Sequence, residues 1–286
     1  MIGESGNIEN WHVLLTGGTD GIGLAVLLKM VSLGAASVVV VGRSEEKWMA
    51  ASSLIPAARA GSVEFWRYDL SLMRDVKRLA EEVIRRDCPL HALIHCAGVM
   101  LKKKTITSEG LETVFSVQYL ARYYLSNLLR TQLEATKGRI VVVSAGGTMP
   151  TANFDFDNLQ GEKYYTGVHA LKHESVANDM LVLDAATRFP LIKCYNYGPG
   201  FVRTKLLSDM GRFFRIMASV FGHCISIAPN TAAEDIVTLI TSQLPSGLYV
   251  RGLKPKSPSY FRADPNNQER LRNLSSALIE KALSSQ

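Results

Sequence analysis

The sequence predicts an α/β fold: a doubly wound parallel sheet of Rossmann type, one domain with a helical lid. Three observations carry this. Short apolar runs alternate with helix-length segments from the start of the chain. Several runs are nearly continuous in Val, Ile and Leu, as strands are when helices cover both sheet faces. The first run also passes through a glycine-rich turn into a helix-length segment.

The elements follow in order. Residues 12–16 (HVLLT) read as the first strand and 21–33 as the helix after it. A second strand spans 37–41 (SVVVV) and a third 63–68 (VEFWRY). A helix over 74–86 leads to a strand over 90–95, and a long helix over 108–134 to a strand over 139–144. A helix over roughly 162–188 precedes the sixth strand, 193–197. Strand–helix–strand repetition with right-handed crossovers places a site at the carboxyl ends of the strands. Residues 206–230 leave the alternation and read as a helical insertion over that edge. A helix over 232–244 and a short strand over 248–250 restore the pattern, and 254–286 is a polar tail with a last helix near 268–283. The chain shows no linker and no internal repeat.

Composition excludes several classes. The chain has 286 residues, 47% hydrophobic and 20% charged, which fits a globular protein and not a disordered or collagenous one. Its 4 cysteines, Cys88, Cys96, Cys194 and Cys224, show neither CxxC pairing nor metal-ligand spacing, so no metal site is expected. Reduced thiols and a polar N-terminus suggest a cytoplasmic protein. The net charge of +6 is spread along the chain. Its one tight cluster, Lys102–Lys104 in sequence, lacks interleaved aromatics, so no nucleic-acid partner is expected. No apolar stretch is long enough to be a transmembrane segment.

The turn after the first strand reads Thr16-Gly17-Gly18-Thr19-Asp20-Gly21-Ile22-Gly23. Glycines at 17, 21 and 23 suit a tight turn, a close backbone approach to a pyrophosphate, and close helix–strand packing. The helix N-terminus offers free N–H groups to an anion. The second strand ends at Val41-Gly42-Arg43-Ser44, where a dinucleotide site for NAD places an acid. An arginine suits a 2′-phosphate, so NADP(H) is the expected cofactor, with Arg43 on the phosphate.

These residues resemble the short-chain dehydrogenase/reductase superfamily from about Trp11 to Gly252, with retinol-dehydrogenase-like and fungal biosynthetic members closest in look. The resemblance implies cofactor contacts from Gly17, Thr19, Asp20, Gly21, Ile22 and Gly23. It implies an adenine contact from Asp69-Leu70. His95-Cys96-Ala97-Gly98 is similar to the Asn-Asn-Ala-Gly motif, with both asparagines replaced. Cys96, Ala97 and Gly98 therefore line the cofactor in this reading. The loop Pro199-Gly200-Phe201-Val202-Arg203-Thr204 resembles the family's Pro-Gly loop, which carries Pro199, Gly200, Val202 and Thr204 to the nicotinamide and pyrophosphate.

The catalytic half departs from the family pattern of Asn, Ser, Tyr and Lys. Gln118 stands at the asparagine. Ala145 stands at the serine, with Ser144 one residue early. If Lys172 is the family lysine, which also holds the cofactor ribose, the tyrosine position is Val168; a shift by one gives His169 and His173. Tyr165 precedes Lys172 by about two helical turns, so a continuous helix would put both on one face, roughly 10 Å apart. Ser144, Tyr165, His169, Lys172 and Gln118 are the candidate catalytic set. His169 could exchange a proton near neutral pH.

Residues 206–230 supply Leu206, Met210, Phe213, Phe214, Met217 and Phe221 at helical spacing, which suits both packing and a pocket for a hydrophobic substrate. Three functions stay open. One is an NADP(H)-dependent oxidoreductase acting on a hydrophobic carbonyl or alcohol in secondary metabolism. Another is a non-redox cyclase, isomerase or dehydratase on the same fold, and the third a non-catalytic dinucleotide sensor. The resemblance implies a homodimer or homotetramer through the helices holding Gln118 and Lys172, although the tail could equally cover that surface.

Overall fold

The computed structural model describes residues 7–152, 154–200 and 227–284. β1 (His12–Thr16), α1 (Gly21–Ser32), β2 (Ser37–Gly42), α2 (Glu45–Ser52), β3 (Val63–Arg67), α3 (Met73–Arg85) and β4 (Ala92–His95) make the first half. Then come α4 (Thr113–Phe115), α5 (Ala121–Leu128), α6 (Arg130–Ala135), β5 (Arg139–Val143), α7 (Gly167–Arg188) and β6 (Lys193–Gly198). The described chain ends with α8 (Pro229–Thr241), β7 (Gly247–Val250), β8 (Lys254–Lys256), α9 (Tyr260–Ala263) and α10 (Pro265–Ser284).

The strands form one 8-stranded sheet in the order β3-β2-β1-β4-β5-β6-β7-β8. Every pairing is parallel except β7 with β8. The order reverses between β1 and β4, where a doubly wound sheet opens its crevice. Thr16 pairs with Val41 on one side and His95 on the other, so three strands end level beneath that crevice.

Both faces of the sheet are buried. One layer joins Leu14, Leu93 and Ile140 to α3, α5, α7 and α10. The other joins Val13, Leu15 and Val40 to α1 and α8 through Val26, Met30, Ile236 and Ile240. Double burial explains the unbroken Val and Ile runs. Helix starts are capped as their residue types dictate: Asp20 accepts from Gly21 N, Ser44 from Lys47 N, and Thr166 from His169 N.

Several boundaries differ from the sequence expectation. The single helix over 108–134 is instead α4, a π-helical turn at Ser116–Leu120, α5 and α6. Glu112 caps it by accepting from Val114 N and Phe115 N, so the first residues stay extended. The helix over 162–188 begins only at Gly167, because Thr166 takes the cap. α2, β8 and α9 have no counterpart in the sequence pattern. The tail is more than polar chain: Tyr119 Oη meets Ser275 Oγ at 3.0 Å and Tyr123 Oη meets Ser276 Oγ at 3.0 Å. α10 thus lies over part of the surface of α5, and Arg272 ties it to Asp184 of α7 at 2.6 Å. Of the expected lid, residues 206–226 lie outside the described residues. No described helix is long and apolar enough to cross a membrane.

Candidate functional site

The glycine turn is shaped by close backbone approaches. Gly17 has φ +75°, and a Cβ there would sit 2.6 Å from the Ala97 backbone. A Cβ on Gly23 would lie 2.1 Å from Gly17 O, inside any permitted contact. The turn therefore folds onto both its own helix and the loop after β4. Gly17 N donates to Val41 O at 2.8 Å, and Cys96 N to Thr16 O at 3.0 Å. Asp20 caps α1, with Gly21 N at 2.7 Å from its Oδ1. Thr19 packs its methyl toward Gly42, and Ile22 packs on the core. The result is a concave backbone surface at a helix N-terminus, the ready-made site for a phosphate. These residues fit a dinucleotide: a side chain on Gly17 or Gly23 would fill the cradle.

At the end of β2, Arg43 is exposed, and its Nη1 lies 3.7 Å from Asp69 Oδ2. The two residues expected at the adenosine end are therefore neighbours. Asp69 Oδ1 also accepts from Ser71 N at 2.9 Å, which fixes the loop. The side chain of Leu70 is buried in the core, so only its backbone could face a ligand.

The carboxyl ends of β4, β5 and β6 carry the next group. Ala97 N lies 3.4 Å from Thr16 Oγ1. Burial pushes the Cys96 thiol up to about 12, so it is protonated and inert at neutral pH. Gly98 lies against Gln118: a Cβ there would be 2.6 Å from its Oε1. Ser144 follows β5, and its Oγ is buried without a hydrogen-bond partner among the described residues. Pro199 is buried, and Gly200 has φ +76° with open space beside it. Val202 and Thr204 lie outside the described residues.

The helical pair α5 and α7 separates the expected catalytic residues. Gln118 sits in the π-helical turn, where its backbone carbonyl accepts from Asn178 Nδ2 at 2.9 Å. Such turns release carbonyls from the helix ladder and concentrate at functional sites. Tyr165 precedes α7 rather than lying on it. Its Oη is 3.4 Å from Leu101 O, and burial followed by the nearby Glu112 carboxylate pushes the phenol up. Lys172 is exposed. The expected shared face of Tyr165 and Lys172 is therefore absent, because the helix starts after the tyrosine. His169 reaches a small cavity lined by Glu112, Phe115, Tyr165 and His173, and its Nε2 has no partner among the described residues.

The face of α7 turned to the π-helical turn instead carries Glu174 and Asn178, with Leu171 and Ser175 beside them by helical spacing. Asn178 Nδ2 also donates to Glu174 Oε2 at 2.6 Å, and Ser175 Oγ to Glu174 Oε1 at 3.2 Å. Burial raises the Glu174 carboxyl to about 7, opposed by the charge of Arg122. Arg122, on α5, donates from Nη2 to Ala97 O at 2.8 Å. Sequence reasoning missed Arg122, Glu174 and Asn178. Their signal was present: Arg122 is the one charge in the mostly apolar stretch 117–129, and Glu174 and Asn178 stand at i and i+4.

A nucleotide-binding α/β fold with a cradle at its switch point defines the class. Residues 11–156 match the family model of the short chain dehydrogenase. The chain belongs to that family. It is 31% identical over 242 residues to a polyprenol dehydrogenase of Homo sapiens, covering 81% of this chain and 73% of that protein. It is 30% identical over 252 residues to retinol dehydrogenase 12 of Bos taurus, covering 87% and 76%. Among solved structures it is similar to a metagenomic short-chain oxidoreductase in complex with NADP, with TM-score 0.64 and 22% identity, covering 88% of this chain and 99% of that one. These relatives are oxidoreductases, which supports a redox enzyme.

Proposed function

We propose that this protein is an NADP(H)-dependent oxidoreductase acting on a hydrophobic carbonyl or alcohol. The observation that carries the reading is the cradle, where Gly17 and Gly23 make approaches that no side chain permits. Arg43 beside Asp69 supports the 2′-phosphate form: the guanidinium offers charge-assisted bonds to a phosphate at the adenosine end. A similar protein of known structure binds NADP, and two relatives are named for polyprenol and retinol, both long apolar alcohols. The apolar residues of 206–230 suit the same kind of substrate.

Bound nicotinamide would supply or accept the hydride. The chain's own part is to hold the dinucleotide through Gly17, Gly21, Gly23, Arg43 and Asp69 and to orient a substrate oxygen. Ser144 Oγ and Gln118 Nε2 are buried donors without partners among the described residues, suited to that second task.

One observation favours a non-redox reading: Tyr165 is turned to Leu101 and Lys172 is exposed, so these two do not form a phenol–lysine pair. One experiment separates the two. Stereospecifically deuterated NADPH is incubated with the protein and a panel of apolar aldehydes and ketones, prenyl aldehydes included. Deuterium in the product is expected. NADPH binding with no label transfer, and turnover that leaves cofactor absorbance unchanged, would replace the redox reading.

A further inference from the structure

Two arginines in this protein are buried to the same extent and used differently. Arg122 and Arg262 are each 4% exposed. Arg262 spends all three nitrogens: Nε on Asp179 at 2.8 Å, Nη1 on Ser259 at 3.2 Å, and Nη2 on the Met149 carbonyl. Arg122 spends one, Nη2 on Ala97 O at 2.8 Å. Its Nε and Nη1 are buried without a partner among the described residues. A buried N–H left unpaired costs as much as a lost hydrogen bond, and more on a charged group. Among the described residues, then, the fold uses every nitrogen of Arg262 and only one of Arg122.

The place of Arg122 says what the spare donors are for. Ala97, which takes its one bond, is the residue whose backbone touches Gly17 of the cradle. One turn earlier on the same helical stretch, Gln118 Nε2 has no partner among the described residues, and the side chain lies against Gly98. On α7, Asn178 Oδ1 likewise has no partner among the described residues. Arg122 and Gln118 thus lie against Ala97 and Gly98, which follow the end of β4 at the switch point beside β1. Meanwhile α7 presents no cation there, since Lys172 is exposed and the face toward Gln118 carries Glu174 and Asn178. A counter-charge stands near Arg122: Glu174, 3% exposed, lies within electrostatic reach of it.

We propose that Arg122, and not Lys172, is the cation of the site, and that its Nε and Nη1 bind a neutral oxygen of the ligand, a hydroxyl on the nicotinamide-side ribose of the dinucleotide. Glu174 is the positioning residue that keeps the guanidinium in place, with Asn178 bridging Glu174 to the Gln118 carbonyl. The inference rests on the dinucleotide reading above. A substrate carbonyl offers the same acceptor chemistry, and the two sources separate in the test.

The test is binding, not turnover. NADPH and adenosine 2′,5′-bisphosphate, which carries only the adenosine end, are titrated into the wild-type chain, R122K, the charge-neutral pair R122Q/E174Q, and K172A. The double variant removes both buried charges together and so avoids stranding Glu174. The wild type is expected to bind both ligands. The Arg122 variants should lose about ten- to a hundredfold in NADPH affinity and keep that for the bisphosphate, the loss of one or two charge-assisted bonds. K172A should bind both as the wild type does. In the wild-type protein, the Arg122 Nε–H resonance should shift on adding NADPH and stay fixed with the bisphosphate, an observation that needs no folded variant.

An unmoved resonance, or Arg122 variants that bind NADPH normally, overturns the proposal and leaves the dinucleotide reading intact. A resonance that moves only on adding an apolar ketone to the NADPH complex overturns the ribose assignment in favour of the substrate oxygen. A wild-type chain that binds neither titrant defeats the dinucleotide reading itself.

Discussion

Asp179 on α7 and Arg262 on α9 form a buried ion pair, Nε to Oδ2 at 2.8 Å, with side chains 0% and 5% exposed. The other oxygen of Asp179 accepts from Gly147 N at 2.9 Å and Asn196 Nδ2 at 2.7 Å. One carboxylate thus joins the loop after β5, the strand β6, and the C-terminal segment. Replacing Arg262 by Met would leave that carboxylate buried without its cation. The expected loss is about 3–5 kcal/mol in urea unfolding. The double variant D179N/R262M should recover a large part of it, because no charge is then stranded. Equal losses in the two would show that Arg262 contributes packing rather than charge.

His173 and Glu174 are adjacent and should tilt stability in opposite directions with pH. Burial lowers His173 from its ordinary 6.5 to about 4. Its Nε2 lies 3.2 Å from Asp155 N, and its ring stacks on Phe154 at 4.2 Å, so the neutral ring is the one the fold accepts. A lowered base is protonated first in the unfolded chain. Its contribution is full above 6.5 and is lost as pH falls toward 4. Glu174 is raised by burial from 4.5 to about 7, so its contribution is full below 4.5 and is lost as pH rises through 7. H173F should therefore become more stable, relative to neutral pH, as the medium is acidified to pH near 5. E174Q should lose stability over that range more steeply than the wild type. Thermal unfolding between pH 5 and 8 reads both slopes. Parallel profiles for the three proteins would refute the assignment.

The cradle was legible in the sequence because each glycine answers a backbone constraint, and such constraints are local. Gly17 and Gly23 meet atoms within a few residues or on the neighbouring strand, so spacing alone exposed them. The nearness of Arg43 to Asp69 was legible for a similar reason, since both follow strands whose order the fold class fixes. The catalytic side was not. Tyr165 and Lys172 were related by assuming one helix, and the side chain of Thr166 ends that helix between them. Arg122 and Glu174 were passed over because their meaning lies in burial, which depends on how α5 turns toward α7 after a π-helical turn. No periodicity displays that turn. The C-terminal helix was expected as an element, but its seat on Tyr119 and Tyr123 is a long-range contact that no local pattern encodes.

Gly23 gives the sharpest test of the cradle. A Cβ at this position would lie 2.1 Å from Gly17 O and 2.8 Å from Gly17 C, both backbone atoms. Backbone cannot swing aside as a side chain can, so G23A must displace the turn. Dinucleotide affinity should fall by about a hundredfold or more, since the amides that would face the pyrophosphate move together. The contrast is G61A, where a Cβ meets nothing within 4 Å and affinity should not change. Isothermal titration with NADPH distinguishes the two. A G23A chain that is folded by circular dichroism and binds normally would remove the cradle as the phosphate site.

Arg43 separates affinity from stability. Its pair with Asp69 spans 3.7 Å, and the two side chains are 55% and 34% exposed. Such a pair contributes about 0–1 kcal/mol to folding, so R43A should unfold within roughly that margin of the wild type. The guanidinium's value lies toward a ligand. A 2′-phosphate presents charge and several acceptors to a planar fork, and a ribose hydroxyl does not. R43A should therefore lose about ten- to a hundredfold in NADPH affinity while NADH affinity stays level or rises. Reversing the charge with R43E should go further and turn the preference to NADH, since a carboxylate at this strand end can accept from the free ribose hydroxyls. The preference should also narrow with added salt in the wild type, because the arginine is exposed and screened. Competitive titrations of NADPH and NADH at low and high ionic strength measure all of this. A preference for NADPH that survives both substitutions would move the phosphate contact away from Arg43.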